Sequence, residues 1–299
     1  MTTPLIVDKD SLHRFIFENT AVRGNTVQLQ NTVKKALANH DYPPVLRKSL
    51  GELMAASALL ASMLKLQRGS VTLQIQGKGP IKLLVVECSS ALEMRATAKW
   101  GDELDTNLSF SELVGEGHFV ITLDPKDGGQ TYQGIVPLQG DSVSEVLRHY
   151  MERSEQIATR IWLCCNDTMS AGMLLQKMPD LPENDADAWN RICLLAETVK
   201  DDELLRLPTQ ILLQRLFHEE DVRLFEAQAI KFHCGCSINS VSNMLRVLGR
   251  EELDSIIEEQ GHIEVLCDFC NSRYQFDKVD VEQLFTDEIV LPSATKHAH

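Results

Sequence analysis

From Pro44 to Leu66 the chain reads PVLRKSLGELMAASALLASMLKL, and Leu50, Leu53, Met54 and Ser57 recur at the spacing that gathers side chains on one helix face. Prolines at 43 and 44 suit a helix start, and the Ala and Ser content predicts close packing on a sheet. The period then changes to two. In SVTLQIQGKGP, Val71, Leu73 and Ile75 alternate with Thr72, Gln74 and Gln76, which predicts a strand with one wet face and a Gly/Pro turn after it. IKLLVVECSS, EMRATAKW, HFVITLD and TYQGIVPL read as further strands, and DPKDGGQ between the last two has the glycines of a hairpin. DSVSEVLRHYMERSEQ opens on Ser142 with Glu145 three residues on, a capping box, and its apolar stripe is Val143, Val146, Leu147 and Tyr150. The fold class is α+β, with a mixed α/β core domain over residues 1–178.

At MPDLPENDADAW two prolines and a cluster of acids mark a connection, and beyond it the pattern turns helical. Trp189, Ile192, Leu195, Ala196 and Val199 share one side of AWNRICLLAETVK, LPTQILLQRLF predicts a second helix with Pro208 in its first turn, and FEAQAIKF predicts a strand. Residues 179–231 therefore form a helical linker whose apolar face needs a surface to lie on. A small C-terminal domain over 232–287 has helical patterns at 241–248 and 251–260, ending near Gly249 and Gly261, and brief strands in HIEVL and RYQF; residues 288–299 are a tail.

Charge and composition narrow the function. A net charge of -14 and a pI of about 5.1 repel phosphate backbones and anionic lipid, so neither nucleic acid nor a membrane surface is expected as partner. The N-terminus lacks the pattern of a secretory signal, and no run approaches the roughly 18 apolar residues of a membrane span; a cytoplasmic protein with reduced thiols is expected. Gly77 and Gly79 in QGKGP read as turn glycines, since no phosphate-loop pattern accompanies them and no nucleotide is expected. Neither a Gly-x-Ser-x-Gly elbow nor a His-Glu-x-x-His helix occurs, and the chain is not read as an enzyme.

Half of the eight cysteines fall in two tight pairs, Cys234 with Cys236 in HCGCS and Cys267 with Cys270 in LCDFCNSRY. Cys88, Cys164, Cys165 and Cys193 lie among apolar neighbours and read as core residues. A unit below about 70 residues needs a metal or disulfides to fold, and two pairs of thiolates fit tetrahedral zinc. Gly235 would let the chain turn sharply between Cys234 and Cys236; His233 and His262 flank the pairs as alternative ligands. The site is then either purely structural or redox-active, because zinc-bound thiolates attract oxidants. On oxidation the neighbouring sulfurs would pair, Cys234 with Cys236 and Cys267 with Cys270, and neither disulfide would hold zinc as thiolates do. A zinc ribbon and a thiol oxidoreductase using Cys267 and Cys270 are the competing readings; the latter requires a strand–Cys-x-x-Cys–helix context.

HCGCS and CDFCNSRYQF together resemble the C-terminal switch of the heat shock protein 33 family of redox-regulated holdase chaperones. FENTAVRGNTVQL, LGELMAASALLASMLKLQRGSVTLQIQGKGP, ELVGEGHFVITLDP, YQGIVPLQGDSVSEVLRHYMERSEQIATRIWL and EELDSIIEEQGHIEVLCDFC resemble the rest of that family's core and switch. The resemblance implies an inactive, reduced, zinc-bound form and an active disulfide form, homodimeric, that binds unfolding proteins without ATP under oxidative stress. It makes Cys234, Cys236, Cys267 and Cys270 both zinc ligands and redox centres, and matches the helices at about 187–218 to the family's linker, whose unfolding accompanies activation. The client-binding surface stays unassigned. Where the family often has Ser-Arg-Glu-Arg after the first pair, this chain has Ser237, Ile238, Asn239 and Ser240, which alters the salt pairing available there.

Overall fold

A computed structural model describes residues 9–63, 68–101, 104–105, 107–126, 128–178, 185 and 187–286. The chain divides into two compact units, Met1–His233 and Cys234–His299.

The first unit holds two sheets. One runs β10–β1–β2–β9–β8, from Val222–Leu224 (β10), Ser11–Phe17 (β1), Val22–Leu29 (β2), Ser170–Lys177 (β9) and Thr159–Cys165 (β8), with Gln228–Ala229 (β11) also on β1. The other runs β12–β5–β4–β3–β6–β7, from Lys231–Phe232 (β12), Glu93–Trp100 (β5), Ile81–Ser89 (β4), Gly69–Gly77 (β3), Gly117–Pro125 (β6) and Tyr132–Pro137 (β7). All the pairings are antiparallel except that of β12 with β5.

The Ala-rich helix α2, Pro44–Ala61, touches strands of both sheets rather than one, which is why its buried positions run round most of its circumference. Leu50, Leu53 and Met54 join Val27, Leu29, Leu73, Ile75, Leu84 and Val86 in the main core. Close approach requires small residues here: a Cβ on Gly51 would stand 2.3 Å from the Cys165 sulfur. The short helix α1, Asn31–Leu37, precedes α2, and α3, Phe110–Val114, precedes β6. Ser142 caps α4, Val143–Tyr150, by accepting from the Glu145 N–H, but the Glu145 carboxylate turns to the N–H of Asp141 rather than of Ser142. The reciprocal box occurs instead at Ser109 and Glu112, on α3.

Strands β1, β2, β8 and β9 have apolar side chains on both faces. One face meets α2. The other carries Phe15, Phe17, Val22, Met173 and Leu175 and is covered by α5, Ala188–Ala196, α6, Asp201–Arg206, and α7, Thr209–Leu216. The stripe expected on the first of these helices lies on this second core: Ile192 and Ala196 are buried, with Trp189, Leu195 and Val199 packed around them. Leu212, Leu213 and Leu216 of α7 join it, and Phe17 and Phe217 meet edge to face at 4.9 Å. Arg191 fastens the rim, with its guanidinium 2.7 Å from Glu220 and 2.9 Å from Asp185.

The second unit contains α8, Ile238–Leu248, α9, Arg250–Gln260, the hairpin of β13, Ile263–Leu266, and β14, Arg273–Phe276, and α10, Lys278–Thr286, which no sequence pattern announced. Ser237 accepts from the Ser240 N–H and starts α8 at Ile238, three residues before the expected start. Its fully packed apolar residues are few: Val241, Leu245, Leu253, Ile263, Phe276, Val281 and Leu284.

Candidate metal centre

Register brings the second cysteine pair to the end of a hairpin. Leu266 of β13 faces Arg273 of β14, so the six residues between them form its tip. There the Cys267 N–H donates to the Ser272 carbonyl at 3.0 Å and the Asn271 N–H to the Cys267 carbonyl at 2.8 Å, a knuckle that aims both sulfurs to one side. Asn271 closes it in the left-handed region, φ 56°, which asparagine tolerates better than most residues. Gly235, between Cys234 and Cys236, is not among the positive-φ residues, so the first pair needs no left-handed turn.

The four sulfurs of Cys234, Cys236, Cys267 and Cys270 lie within 4.8 Å of one another. Cys234 is 3.7 Å from Cys267, and Cys236 is 3.2 Å from Cys270. Zinc bonds to sulfur of about 2.3 Å would set the edges of a tetrahedron at about 3.8 Å, so the donor set fits such an ion in number, chemistry and spacing. Neither His233 nor His262 belongs to the cluster, and four sulfurs already complete a tetrahedral shell.

Thiols so close cannot all ionise without a cation. Burial pushes the Cys234 thiol up to about 12 and raises Cys267 as well. Burial also opposes ionisation of Cys270, but hydrogen bonds from Ser272 and from the thiols of Cys236 and Cys234 outweigh it and hold Cys270 down at about 6. A divalent ion would deprotonate all four donors, against the burial that raises Cys234 and Cys267. Two neighbours escaped the sequence reading: the Ser272 hydroxyl, 3.1 Å from the Cys270 sulfur, and the Tyr274 hydroxyl, which donates to Cys236. Cysteine spacing carries no signal for them.

The other cysteines are separate from this chemistry. Cys88, Cys164 and Cys193 are buried and Cys165 half-buried; burial raises their thiols to about 12, or about 11 for Cys193. Cys88, Cys164 and Cys193 are core residues, as their apolar neighbours in the sequence imply, whereas Cys165 lines a cavity beside α2. Cys267 and Cys270 sit at a hairpin tip and not at a helix start, which removes the context an oxidoreductase motif requires.

The sequence model described as Hsp33 protein matches residues 10–277 of the chain. The chain belongs to the Hsp33 family. Among its relatives is the 33 kDa chaperonin of Methylobacillus flagellatus, 63% identical over 284 residues, covering 95% of this chain and 97% of the relative. The 33 kDa chaperonin of Chromobacterium violaceum is 48% identical over 283 residues, 94% of this chain and 95% of its own. The crystal structure of the 33 kDa chaperonin (heat shock protein 33 homolog) of Thermotoga maritima has the same fold, with a TM-score of 0.81 at 23% identity, covering 94% of this chain and 99% of that one. The protein is thus an Hsp33-type chaperone. Among the described residues no helix is long and apolar enough to cross a membrane.

Proposed function

We propose that this Hsp33 chain is an ATP-independent holdase, silent while its four clustered cysteines are reduced and hold zinc, and active once they are oxidised. The observation that carries this reading is the convergence of four sulfurs within 4.8 Å in a unit with so small an apolar core. Bound there by Cys234, Cys236, Cys267 and Cys270, zinc would hold all four sulfurs as thiolates and contribute about 10–16 kcal/mol to folding. With that support gone, a core of Val241, Leu245, Leu253, Ile263, Phe276, Val281 and Leu284 is too small to keep the unit ordered.

The redox step belongs to the sulfurs. Cys267 and Cys270 give two electrons to one peroxide, which takes up two protons and leaves as two waters, and one S–S bond forms; Cys234 and Cys236 do the same with a second peroxide. Disulfide sulfurs are poor ligands, so the metal and the fold of the unit are lost together.

Unfolding there is transmitted along the chain. His233 alone separates β12 from Cys234, and its N–H donates to the Met94 carbonyl on β5. Upstream lie α5, α6 and α7, of 9, 6 and 8 residues, too short to persist in water without a surface. In this reading they leave the sheet when the C-terminal unit unfolds, and the face of Phe15, Phe17, Val22, Met173 and Leu175 and the helices' own apolar sides become available to unfolding proteins. Residues 1–178 act as the chaperone core, 179–231 as the releasable linker, 232–287 as the switch and 288–299 as a tail, with the oxidised form a homodimer working in the cytoplasm. A charge of -14 and the absence of a phosphate-loop pattern support a partnership with polypeptides and not with nucleic acid or nucleotide.

Zinc and thiols counted together test the switch. Gently purified reduced protein should hold one zinc per chain, and peroxide should expel it as four thiols disappear. Less than half an equivalent in the reduced protein, or full retention after Cys267 and Cys270 are both replaced by Ser, would refute the site.

A further inference from the structure

The linker helices lack one thing that their own sequence cannot provide. Where α6 passes into α7 the chain reads Leu207-Pro208-Thr209, and the extended backbone at Leu207 and Pro208 ends the first helix and starts the second. In a continuing helix the Leu204 carbonyl would accept from the N–H four residues on, but that residue is Pro208, which has none. The Leu207 carbonyl lies in the break itself. Both carbonyls find the same partner. The side-chain amide of Gln28, on β2, donates to Leu204 at 2.8 Å and to Leu207 at 2.8 Å. Gln28 is only 5% exposed, on a sheet face that is otherwise mostly apolar. Beside it the polar seam continues through the hydroxyls of Thr26 and Thr209, 3.3 Å apart, to His13 Nδ1 at 3.3 Å from Thr209.

We propose that Gln28 is the C-terminal cap of α6, supplied across the interface by the sheet, so that undocking and unfolding of residues 201–216 are one event. The two hydrogens of one carboxamide match the Leu204 carbonyl, bare because of Pro208, and the Leu207 carbonyl, bare because of the break. Docked, the carbonyls are satisfied without water. On undocking, α6 loses its apolar cover and its cap together, and a six-residue helix has nothing left to hold it. The apolar contacts of the interface tolerate small slips, whereas two hydrogen bonds from one amide do not. Gln28 is therefore a positioning residue that sets both the register of the docked linker and how readily it releases. The inference rests on the proposed release of the linker, and its test separates the two.

Gln28→Leu keeps the bulk and removes the donors; Gln28→Glu keeps the shape and offers acceptors to two carbonyls. In the reduced, zinc-loaded, full-length protein, hydrogen exchange of the 201–216 amides should quicken about tenfold in Gln28→Leu, as expected for a buried carbonyl left unpaired. Amides of β3, β4 and β6 should keep their protection. Gln28→Glu should be looser still at pH 8 and should tighten on acidification, because a protonated carboxyl can again donate to one carbonyl. The parent and Gln28→Leu, followed over the same pH range, supply the background. Unchanged exchange at 201–216 in Gln28→Leu would overturn the proposal, and so would protection lost evenly across the first unit, the mark of a general packing role. Faster local exchange in Gln28→Leu, with an oxidised parent that suppresses aggregation while its 201–216 amides stay protected, would leave the cap in place and refute the proposed release as the activating step.

Discussion

The sulfurs of Cys236 and Cys270 stand 3.2 Å apart although 34 positions separate them in the chain, and Cys234 and Cys267 stand 3.7 Å apart across 33. In the folded unit the cross-pair sulfurs are thus as close as an ion would hold them. Once the unit opens, tethers of one and two residues keep only the sulfurs within each pair together. Non-reducing peptide maps of the oxidised protein should therefore show Cys234–Cys236 and Cys267–Cys270. A dominant Cys236–Cys270 or Cys234–Cys267 bridge would contradict the pairing of neighbouring cysteines on which this account rests.

Weakening the packing of the linker should mimic oxidation. Leu212 is 1% exposed in the second core, and Leu195 packs against it. Each buried leucine replaced by serine loses apolar contact and gains a hydroxyl to satisfy, at about 2–5 kcal/mol per fully buried site. The double variant Leu195→Ser/Leu212→Ser should suppress client aggregation partially while still reduced and zinc-loaded. A folded variant as silent as the parent, with the linker amides equally protected, would place the switch elsewhere.

A half-buried carboxyl ties the stability of the first unit to pH. Glu52 of α2 lines a cavity of about 540 Å³ with Lys48 and Cys165, and burial, partly offset by Lys48 and reinforced by Asp201 at the start of α6, raises its carboxyl to about 7. In the unfolded chain it titrates near its ordinary 4.5. Between those values the native state binds the additional proton, so stability falls as pH rises from 4.5 to 7 and levels off above. Glu52→Gln should flatten this slope and exceed the parent in stability at pH 8 by about 1–3 kcal/mol. Denaturant unfolding followed by Trp162 and Trp189 fluorescence reads it; an unchanged slope in the variant would contradict the assignment.

What was legible in the sequence, and what was not, follows from solvent. Strands with one wet face announced themselves: β3 alternates Val71, Leu73 and Ile75 with polar residues and forms with that register. Strands β2 and β9 carry no such signal because α2 covers one face and α5 to α7 the other, and SAGMLLQK is buried at all but its last residue. The four-cysteine cluster was readable from the spacing of its two close pairs. Its partners Ser272 and Tyr274 were not, because a hydroxyl near a sulfur has no period. Gln28 was hidden for a similar reason. It sits in a strand with no alternation, and the proline that makes it necessary lies 180 positions away.

The most direct test of the central claim is light scattering from an unfolding client, mixed with equimolar protein in the absence of nucleotide. The fully reduced, zinc-loaded chain should leave aggregation unchanged, the peroxide-oxidised chain should suppress it, and reduction followed by zinc should silence it again. Equal suppression by both forms, or none by the oxidised form with its zinc gone and both disulfides made, would contradict the account.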